Sequence, residues 1–319
     1  MTARPRPARA KTPAPRVLVI YKKSAYQIYV RERRHERIEQ LVAAGEPAAL
    51  HLLRAHEDHM GSLEQARIAL HKIGAQAKFR HRSHDAHAKG ADLVVTLGGD
   101  GTLLWASHLV GADTPIVAIN TAPRDSVGYF CAGNKHEIDD VLADALRGKL
   151  KHTALTRMQV SVDDRIVSSR VLNDALFCHE CPASTSRYGI TLGRVTEEQK
   201  SSGLWVGPAA GSTAAQHSAG GVILPVRSQA LQFVVREPYE PSGTRYKLRK
   251  GLVAPGRTLS VQSRMRAGQL YLDGPHDVQH VEMASRLTFR RSPESLNLLG
   301  FHGGDRRKPL ESRKRTRRK

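Results

Sequence analysis

The segment Gly98-Gly99-Asp100-Gly101-Thr102 is the strongest chemical signal in the sequence. It follows an apolar run at 92–97 and precedes a helical pattern at 102–110, so it is expected at the carboxyl end of a strand, where α/β sheets bind ligands. Glycines there permit positive φ and leave amide N–H groups bare, which suits phosphate, and Thr102 is placed to cap the helix. A carboxylate that only bound a phosphate would repel it, so Asp100 is interpreted as a base or a metal-directed group beside phosphates. On spacing alone, a plain glycine turn with a solvated aspartate stays open.

Two polar segments further along could bind a nucleoside. Asn173-Asp174 falls in a strand-like run at 171–177, and a carboxylate accepts two hydrogen bonds from vicinal ribose hydroxyls. Gly211-Ser212-Thr213-Ala214 and Ser218-Ala219-Gly220-Gly221 place small residues around a short helix expected over 212–219. Small residues there let a flat base or a phosphate approach the backbone. Taken singly, each segment also reads as an ordinary turn or a helix cap.

Together the three segments resemble the pattern of the NAD kinases. That pattern is GGDGT, an Asn-Asp or Asn-Glu pair, and a GSTAY…SAGG segment. The likeness is greatest to the mitochondrial-type branch and covers about residues 16–300. The segments shared with that branch are Lys22-Lys-Ser-Ala-Tyr26, His56-Glu-Asp-His59, Asn120-Thr-Ala-Pro123, Gln199-Lys-Ser-Ser-Gly-Leu204 and Arg236-Glu-Pro238. GGDGT alone also occurs in lipid kinases and phosphofructokinases, so the later segments decide.

The resemblance implies transfer of the ATP γ-phosphoryl group to the 2′-hydroxyl of the adenosine ribose of NAD or NADH. Asp100 falls on the catalytic aspartate of the family, and Mg²⁺ is expected with ATP, without a dedicated protein metal site. The positions that fall on nucleotide-binding or dinucleotide-binding residues are Gly99, Gly101, Thr102, Asn120, Asn173, Asp174, Lys200, Ser202, Ser212, Thr213, Ala214 and Ser218. Ser202 stands where the usual bacterial branch has Asp, and Ala215 stands where many relatives have an aromatic residue. Relatives are commonly dimers or tetramers, so a homodimer or homotetramer is expected.

The pattern before residue 149 predicts a doubly wound parallel α/β domain over 16–148. Unalternated apolar runs at 17–21, 92–97 and 115–119 are typical of strands covered on both faces. Helices are predicted at 102–110 and 135–148. Another is predicted to end at Gly74, with its apolar face given by Leu50, Leu53, Met60, Leu63, Leu70 and Ile73.

From 149 to 291 the sequence predicts a β-rich, sandwich-like domain that binds the dinucleotide. Its short β-branched runs are separated by Gly, Pro, Asp and Asn. The strands are expected at 157–162, 164–168, 171–177, 188–192, 231–235, 258–262, 269–272 and 286–290. The segment 292–304 is expected to return to the first domain, with the active site between the two domains.

The positive charge of the 319-residue chain is concentrated at its ends. Lys and Arg number 50 against 30 Asp and Glu, a net charge of +20. Residues 1–16 carry +5 and residues 305–319 carry +7, so the body holds only +8. The segments 1–15 and 305–319 are predicted to be disordered basic tails, because neither can bury enough apolar surface.

The compartment is predicted to be cytoplasmic. An Arg-rich, acid-free start also fits an organellar transit peptide, but four prolines oppose the amphipathic helix that such peptides need. No apolar run reaches the roughly 18 residues of a membrane span. The odd number of cysteines, Cys131, Cys178 and Cys181, favours reduced thiols, and the lone CxxC lacks further zinc ligands.

Two alternatives to an NAD kinase stay open at this point. A lipid kinase shares the GGDGT plan, although no membrane-binding apolar helix is evident in the sequence. A non-enzymatic protein that binds nucleic acid or another polyanion through the basic tails is the alternative from another class. The low aromatic content of 5% and the lack of a recognisable nucleic-acid reader motif argue against specific binding, leaving nonspecific contact.

Overall fold

A computed structural model of the protein describes residues 13–82, 87–241 and 245–302, and this part of the chain contains three β-sheets. The predicted tail at 305–319 and most of the one at 1–15 lie outside the described residues. The strands are β1 (Arg16–Tyr21), β2 (Gln76–His81), β3 (Leu93–Gly98), β4 (Ile116–Asn120), β5 (Gly133–Asn134), β6 (His152–Leu155), β7 (Met158–Val162), β8 (Arg165–Val171), β9 (Ala175–His179), β10 (Ser186–Leu192), β11 (Val195–Ser201), β12 (Gly203–Pro208), β13 (Leu231–Arg236), β14 (Lys250–Val253), β15 (Thr258–Ser263), β16 (Gly268–Leu272), β17 (Asp277–Val281), β18 (Arg286–Arg291) and β19 (Leu296–Leu299). The α-helices are α1 (Glu36–Ala43), α2 (Pro47–Ile73), α3 (Asp100–Ser107), α4 (Ile138–Leu146) and α5 (Ala215–Ser218), with a π-helix at Gln27–Glu32 and a 3-10 helix at Ala209–Thr213.

The first sheet has the strand order β2-β1-β3-β4-β19-β6, with β5 paired to β4. Strands β1 to β4 run parallel. Val94 and Ile116 pack into one apolar cluster with α3, whereas the alternate positions Val95 and Val117 pack into another with α2 and α4. The unbroken apolar strands therefore fill two layers, and the predicted doubly wound α/β domain is confirmed.

Helix α2 begins at Pro47 and ends before Gly74, which takes the left-handed φ of 79° that suits a C-terminal glycine. The helix was expected from its pattern, but part of its predicted buried face is wrong. Met60 is 44% exposed, while His56 and His59 are buried. Two imidazoles are buried there because each finds hydrogen-bond partners that an apolar side chain would leave unpaired.

Residues 158–291 form a sandwich of two six-stranded antiparallel sheets. Their orders are β11-β10-β15-β18-β7-β8 and β14-β13-β12-β9-β16-β17. Inward residues of both sheets, such as Phe289 from one and Phe177 and Phe233 from the other, form a single apolar cluster. The predicted β-rich fold is confirmed, but the strand expected at 171–177 is broken, because β8 ends at Val171 and β9 begins at Ala175.

Two segments of the later sequence complete the first sheet. Strand β19 lies parallel to β4 and antiparallel to β6. Strand β6 falls in the range assigned to the β-rich domain, yet it pairs only within the first sheet among the described strands. The chain therefore passes twice between the first sheet and the sandwich, once after β6 and once before β19.

Arg157, which follows β6, joins the C-terminal end of helix α3 to the segment that precedes β19. Its side chain is fully buried, and its guanidinium donates to the carbonyl oxygens of Ser107 and Val110 at 3.1 and 3.0 Å and to that of Ser295 at 3.1 Å. A cation at the C-terminus of α3 satisfies carbonyls that the helix itself leaves unpaired. Burial lowers the pKa of Arg157 to about 10, so the group keeps its charge near neutral pH.

We predict that Arg157→Leu lowers the stability of the protein by about 3 kcal/mol, because several buried carbonyl oxygens lose a charged donor. The measurement is the midpoint of thermal unfolding, compared with Arg165→Leu, which removes the same charge from an exposed position on β8. Equal midpoints for the two variants would contradict the role given to Arg157.

Candidate functional site

The GGDGT segment joins β3 to α3 as expected, but its helix begins two residues early. Gly99 is the N-cap, Asp100 is the first helical residue and no side chain caps the helix. The predicted cap at Thr102 is therefore wrong, because Thr102 lies inside the first turn with its side chain buried.

The glycines of this segment are needed for close approach and not, as predicted, for positive φ. None of Gly98, Gly99 and Gly101 is among the described residues with positive φ. A Cβ at Gly98 would lie 2.2 Å from Thr102 Oγ1, and one at Gly99 would lie 2.2 Å from Ser126 Oγ. A Cβ at Gly101 would meet nothing within 4 Å. The backbone at Gly101 therefore faces open space, where a ligand has room.

The Asp100 carboxylate is fixed by backbone amides from a distant loop. The N–H of Tyr129 donates to one oxygen at 2.8 Å, and the N–H of Phe130 donates to the other at 3.0 Å. The Tyr129 ring packs edge-on against Phe130 and Phe301, and the Phe130 ring packs against Phe301 in a tilted arrangement. The carboxylate is half-buried and held in one orientation, so it is placed to accept a proton from a group entering beside Gly101. These two donors could not be predicted from the sequence, because a backbone amide leaves no side-chain signature.

A cavity of about 520 Å³ opens beside this segment and is rich in positive charge. It is lined by Lys22 and Lys23 after β1, by His81 and Arg82 at the end of β2, and by Gly101. A second cavity of about 350 Å³ lies between α3 and the turn that joins β16 to β17, and it shares Arg82 and Gly101 with the first. Two ligands therefore have space on either side of Gly101.

Asn120 shapes the loop that closes the site. Its side chain is buried, its Nδ2 donates to the Ser126 carbonyl at 2.8 Å and its Oδ1 accepts from the Ala122 amide at 3.1 Å. A Cβ on Gly128 would also lie 2.5 Å from Asn120 Nδ2. These contacts give the Asn120 side chain a loop-supporting role in the described structure.

Asn173-Asp174 lies in the break between β8 and β9, where one buried carboxylate holds the backbone. Asp273 accepts the amide N–H groups of Leu172, Asn173 and Asp174 at 2.8, 2.6 and 3.1 Å. These amides cannot serve a strand ladder, which explains why the predicted strand 171–177 is interrupted. Asp273 is also 2.8 Å from Nε2 of His108, just beyond α3, so the same carboxylate ties this turn to the helix of Asp100.

The Asp174 carboxyl is unusual because it is buried beside a second acid. Its oxygen accepts from Asn173 Nδ2 at 2.7 Å. Burial, reinforced by the negative charge of Asp273, raises the pKa of Asp174 to about 7 and outweighs the effect of that hydrogen bond. The Asn-Asp pair therefore presents an acceptor that changes its protonation near neutral pH.

Gly211 brings the second polar segment against this turn. A Cβ at Gly211 would lie 1.6 Å from the Asn173 carbonyl oxygen, so only glycine allows the two backbones to approach this closely. The expected helix over 212–219 is divided, with a 3-10 helix ending at Thr213 and α5 beginning at Ala215. Thr213 and Ser218 are exposed, and Ala214 is half-buried.

Ser212 is oriented inwards. Its hydroxyl donates to the Ala209 carbonyl at 2.7 Å and accepts from the Leu224 amide at 2.9 Å, and the residue is fully buried. These bonds hold the loop after α5 against the 3-10 helix. The structure thus places Ser212 behind the exposed residues Thr213 and Ser218.

The structure does not bring Lys200 and Ser202 to the Asn173 turn. Both lie at the β11–β12 junction, where the Ser202 amide donates to the Arg236 carbonyl at 3.0 Å. Gly207, whose Cα faces the Asn173 backbone, is near the opposite end of β12. Five residues of strand separate Ser202 from Gly207, or about 16 Å at 3.3 Å per residue.

Metal and membrane features are limited in the part of the chain that the structure describes. No group of three or more His, Cys, Asp or Glu side chains there is arranged to hold a metal ion. Cys178 is half-buried and Cys181 is exposed, both as free thiols. No helix within the described ranges is both long and apolar enough to cross a membrane.

The fold is shared with two solved structures. An NAD kinase from Archaeoglobus fulgidus in complex with ATP superposes with a TM-score of 0.62 at 19% identity, covering 94% of this chain and 99% of that one. Yeast NADH kinase complexed with NADH gives a TM-score of 0.64 at 17% identity, covering 93% of this chain and 86% of that one. At these identities the likeness establishes the fold.

Sequence comparison identifies the family. The model for the ATP-NAD kinase N-terminal domain matches residues 3–150. A probable NADH kinase of Oryza sativa subsp. japonica is 35% identical over 217 residues, which is 61% of this chain and 67% of the relative. An NADH kinase of Arabidopsis thaliana is 30% identical over 269 residues, 77% of this chain and 84% of the relative. With these matches and a GGDGT segment set beside a basic cavity, the chain belongs to the NAD kinase family.

Proposed function

We propose that the protein transfers the γ-phosphoryl group of ATP to the 2′-hydroxyl of the adenosine ribose of NAD or NADH. The observation that carries the proposal is the Asp100 carboxylate, fixed by two amides beside the open backbone of Gly101, where two cavities meet. A phosphoryl donor and an alcohol acceptor must approach one base from two sides. The geometry of this site meets that requirement.

Asp100 acts as the general base in this proposal. Its carboxylate takes the proton of the 2′-hydroxyl as the ribose oxygen attacks the γ-phosphorus. The bond from phosphorus to the bridging oxygen breaks, and ADP leaves with that electron pair. Gly99, Gly101 and Thr102 lie at the start of α3, where the helix dipole favours phosphate oxygens. The rest of the catalysis is positioning and charge neutralisation.

We propose that Mg²⁺ reaches this site as its complex with ATP. The donor set fits an ion held largely by phosphate oxygens and water, since the cavity contains one carboxylate, Asp125, with Asp100 beside it. Asp125, which lines the cavity, would help to hold the ion. When bound, it would neutralise negative charge on the phosphates.

The Asn173-Asp174 turn is proposed to bind ribose hydroxyls. Asp174 accepts when ionised, and the half-buried Asn173 amide both donates and accepts. Thr213, Ala214 and Ser218 are proposed to line the dinucleotide site, because Gly211 brings their segment against the same turn. Ser212 and Asn120 support that surface through their internal bonds. The smaller Ala215 leaves out the aromatic ring found in many relatives, so stacking on the dinucleotide is weaker.

We propose a homodimer or homotetramer in which a second copy contributes to the site. Lys200 and Ser202 align with dinucleotide-binding positions of the family, yet Ser202 lies about 16 Å along the strand from Gly207 at the Asn173 turn of its own chain, and Lys200 lies further away, in β11. Residues that are remote within one chain serve the same site when they come from its neighbour. We also propose a cytoplasmic location, where the three thiols stay reduced.

We predict that Asp100→Asn lowers kcat about 10²- to 10⁴-fold, because the amide cannot accept the hydroxyl proton. The measurement is formation of NADP or NADPH from Mg-ATP with NAD or NADH. Asp113→Asn, an exposed site on the same domain, is the matched control and keeps full activity. A nearly normal rate for Asp100→Asn at an unchanged melting temperature would remove the residue from the catalytic role.

We predict that Asp174→Asn makes the protein more stable and weakens its affinity for NAD. In wild type, the unfolded carboxyl ionises near pH 4 and the folded one near pH 7, so the folded state holds the extra proton between them and stability falls as pH rises. The variant lacks this loss, so its melting temperature exceeds that of wild type by on the order of 5 °C at pH 8 and by less at pH 5. Its KM for NAD rises because the anionic acceptor is gone. A pH-independent difference in melting temperature would refute the assignment.

A further inference from the structure

Lys22 lies at the edge of the first sheet where the carboxyl ends of adjacent parallel strands meet. Strand β1 pairs with both β2 and β3, with Tyr21 opposite His81 on one side and Leu97 on the other. Lys22 is the next residue after β1, and it lines the same cavity as Gly99 and Gly101. The topology therefore places Lys22 at the cavity that adjoins the start of α3.

The cations around this cavity differ in their partners. Lys23 forms an ion pair with Glu32 at 2.9 Å, and Arg82 Nη2 contacts His276 Nε2 at 3.0 Å. The Lys22 side chain makes no hydrogen bond or ion pair with any residue in the described ranges. Asp125, the acid of the cavity, is held by His51 at 2.5 Å.

The Lys22 side chain is half-buried, and no anion among the described residues contacts its positive charge. Burial lowers the pKa of its ammonium group, the charge of Asp125 opposes that shift, and the charge of Arg82 adds to it. A cation that has lost water and lacks a contacting anion gains when an anionic ligand enters. This balance points to a ligand oxygen in front of Lys22.

The backbone of Lys22 is clamped by helix α2. His59 is buried, and its Nε2 lies 2.7 Å from the Lys22 carbonyl oxygen, which can only accept. Nδ1 then accepts from the Thr121 hydroxyl at 3.0 Å. Burial lowers the pKa of His59 to about 4, so the ring stays neutral and keeps this tautomer. Thr121 in turn donates its amide N–H to the Gly98 carbonyl at 3.2 Å, which connects the clamp to the GGDGT segment.

We propose that Lys22 is a catalytic residue that binds the phosphate chain of the phosphoryl donor, and that His59 is the positioning residue that fixes it. The inference rests on the proposed function. As the bond from the γ-phosphorus to ADP breaks and the bond to the ribose oxygen forms, Lys22 keeps its protons and neutralises charge on non-bridging phosphate oxygens. The proton of the hydroxyl goes to Asp100.

The direct test is binding of inorganic tripolyphosphate to the full-length protein, measured by titration calorimetry. Lys22→Met is expected to weaken binding about 10- to 100-fold, the scale of a charge-assisted contact. Lys78→Met is the matched control, since Lys78 is an exposed lysine of β2 at the level of Leu18, away from the carboxyl edge of the sheet. Unchanged affinity in Lys22→Met would overturn the proposal.

Kinetics separate this proposal from the proposed function. If wild type makes NADP(H), Lys22→Met should lower kcat/KM for Mg-ATP at least tenfold, while KM for NAD changes less than twofold. Wild-type turnover with no change in Lys22→Met would refute the role of Lys22 and leave the reaction intact. A wild type that makes no NADP(H) but binds tripolyphosphate through Lys22 would refute the reaction and support the phosphate site.

His59 is tested by substitution and rescue. His59→Leu removes both hydrogen bonds and is expected to raise KM for Mg-ATP with little change in KM for NAD. His59→Gln keeps an amide donor for the Lys22 carbonyl and is expected to restore most of the lost affinity. If both variants raise the two KM values equally, His59 supports the fold in general and does not position Lys22.

Discussion

The buried carboxylate of Asp273 is the constraint on which the two-layer site depends. It accepts three consecutive amides at residues 172–174 and contacts His108 beyond α3. An anion that satisfies three amides stops them from pairing in a sheet, so the strand is interrupted and the chain turns at Asn173 and Asp174. Burial raises the pKa of Asp174, and the negative charge of Asp273 adds to that rise. One group thus shapes the turn, ties it to the helix of Asp100 and contributes to the raised pKa of its neighbour.

Much of this arrangement could be predicted from the sequence because it depends on short-range sequence patterns. Apolar runs such as 92–97 predicted the parallel sheet, and the GGDGT segment after that run predicted a site at its carboxyl edge. Asp273 and the amides of Tyr129 and Phe130 were not predicted, since their partners lie far along the chain and backbone donors have no composition signal. The break in the strand at 171–177 was missed for the same reason.

Three segments that mark one branch of the family in sequence meet in one hydrogen-bonded network. Lys22 belongs to the first, His59 to the second and Thr121 to the third. Helical periodicity alone placed Met60 in the core and gave no reason to bury His59. A polar residue is buried when other elements supply its partners, and those elements become neighbours only after the sheet has formed.

The contact between Gly211 and the Asn173 carbonyl has a consequence for redesigning this enzyme. Any side chain at position 211 requires that carbonyl to move by well over an ångström, and with it the turn that Asp273 holds. The two loops therefore behave as one rigid part. Transplanting the small-residue loop from a relative with a different preference for NAD or NADH calls for moving the Asn-Asp turn along with it, as a single cassette.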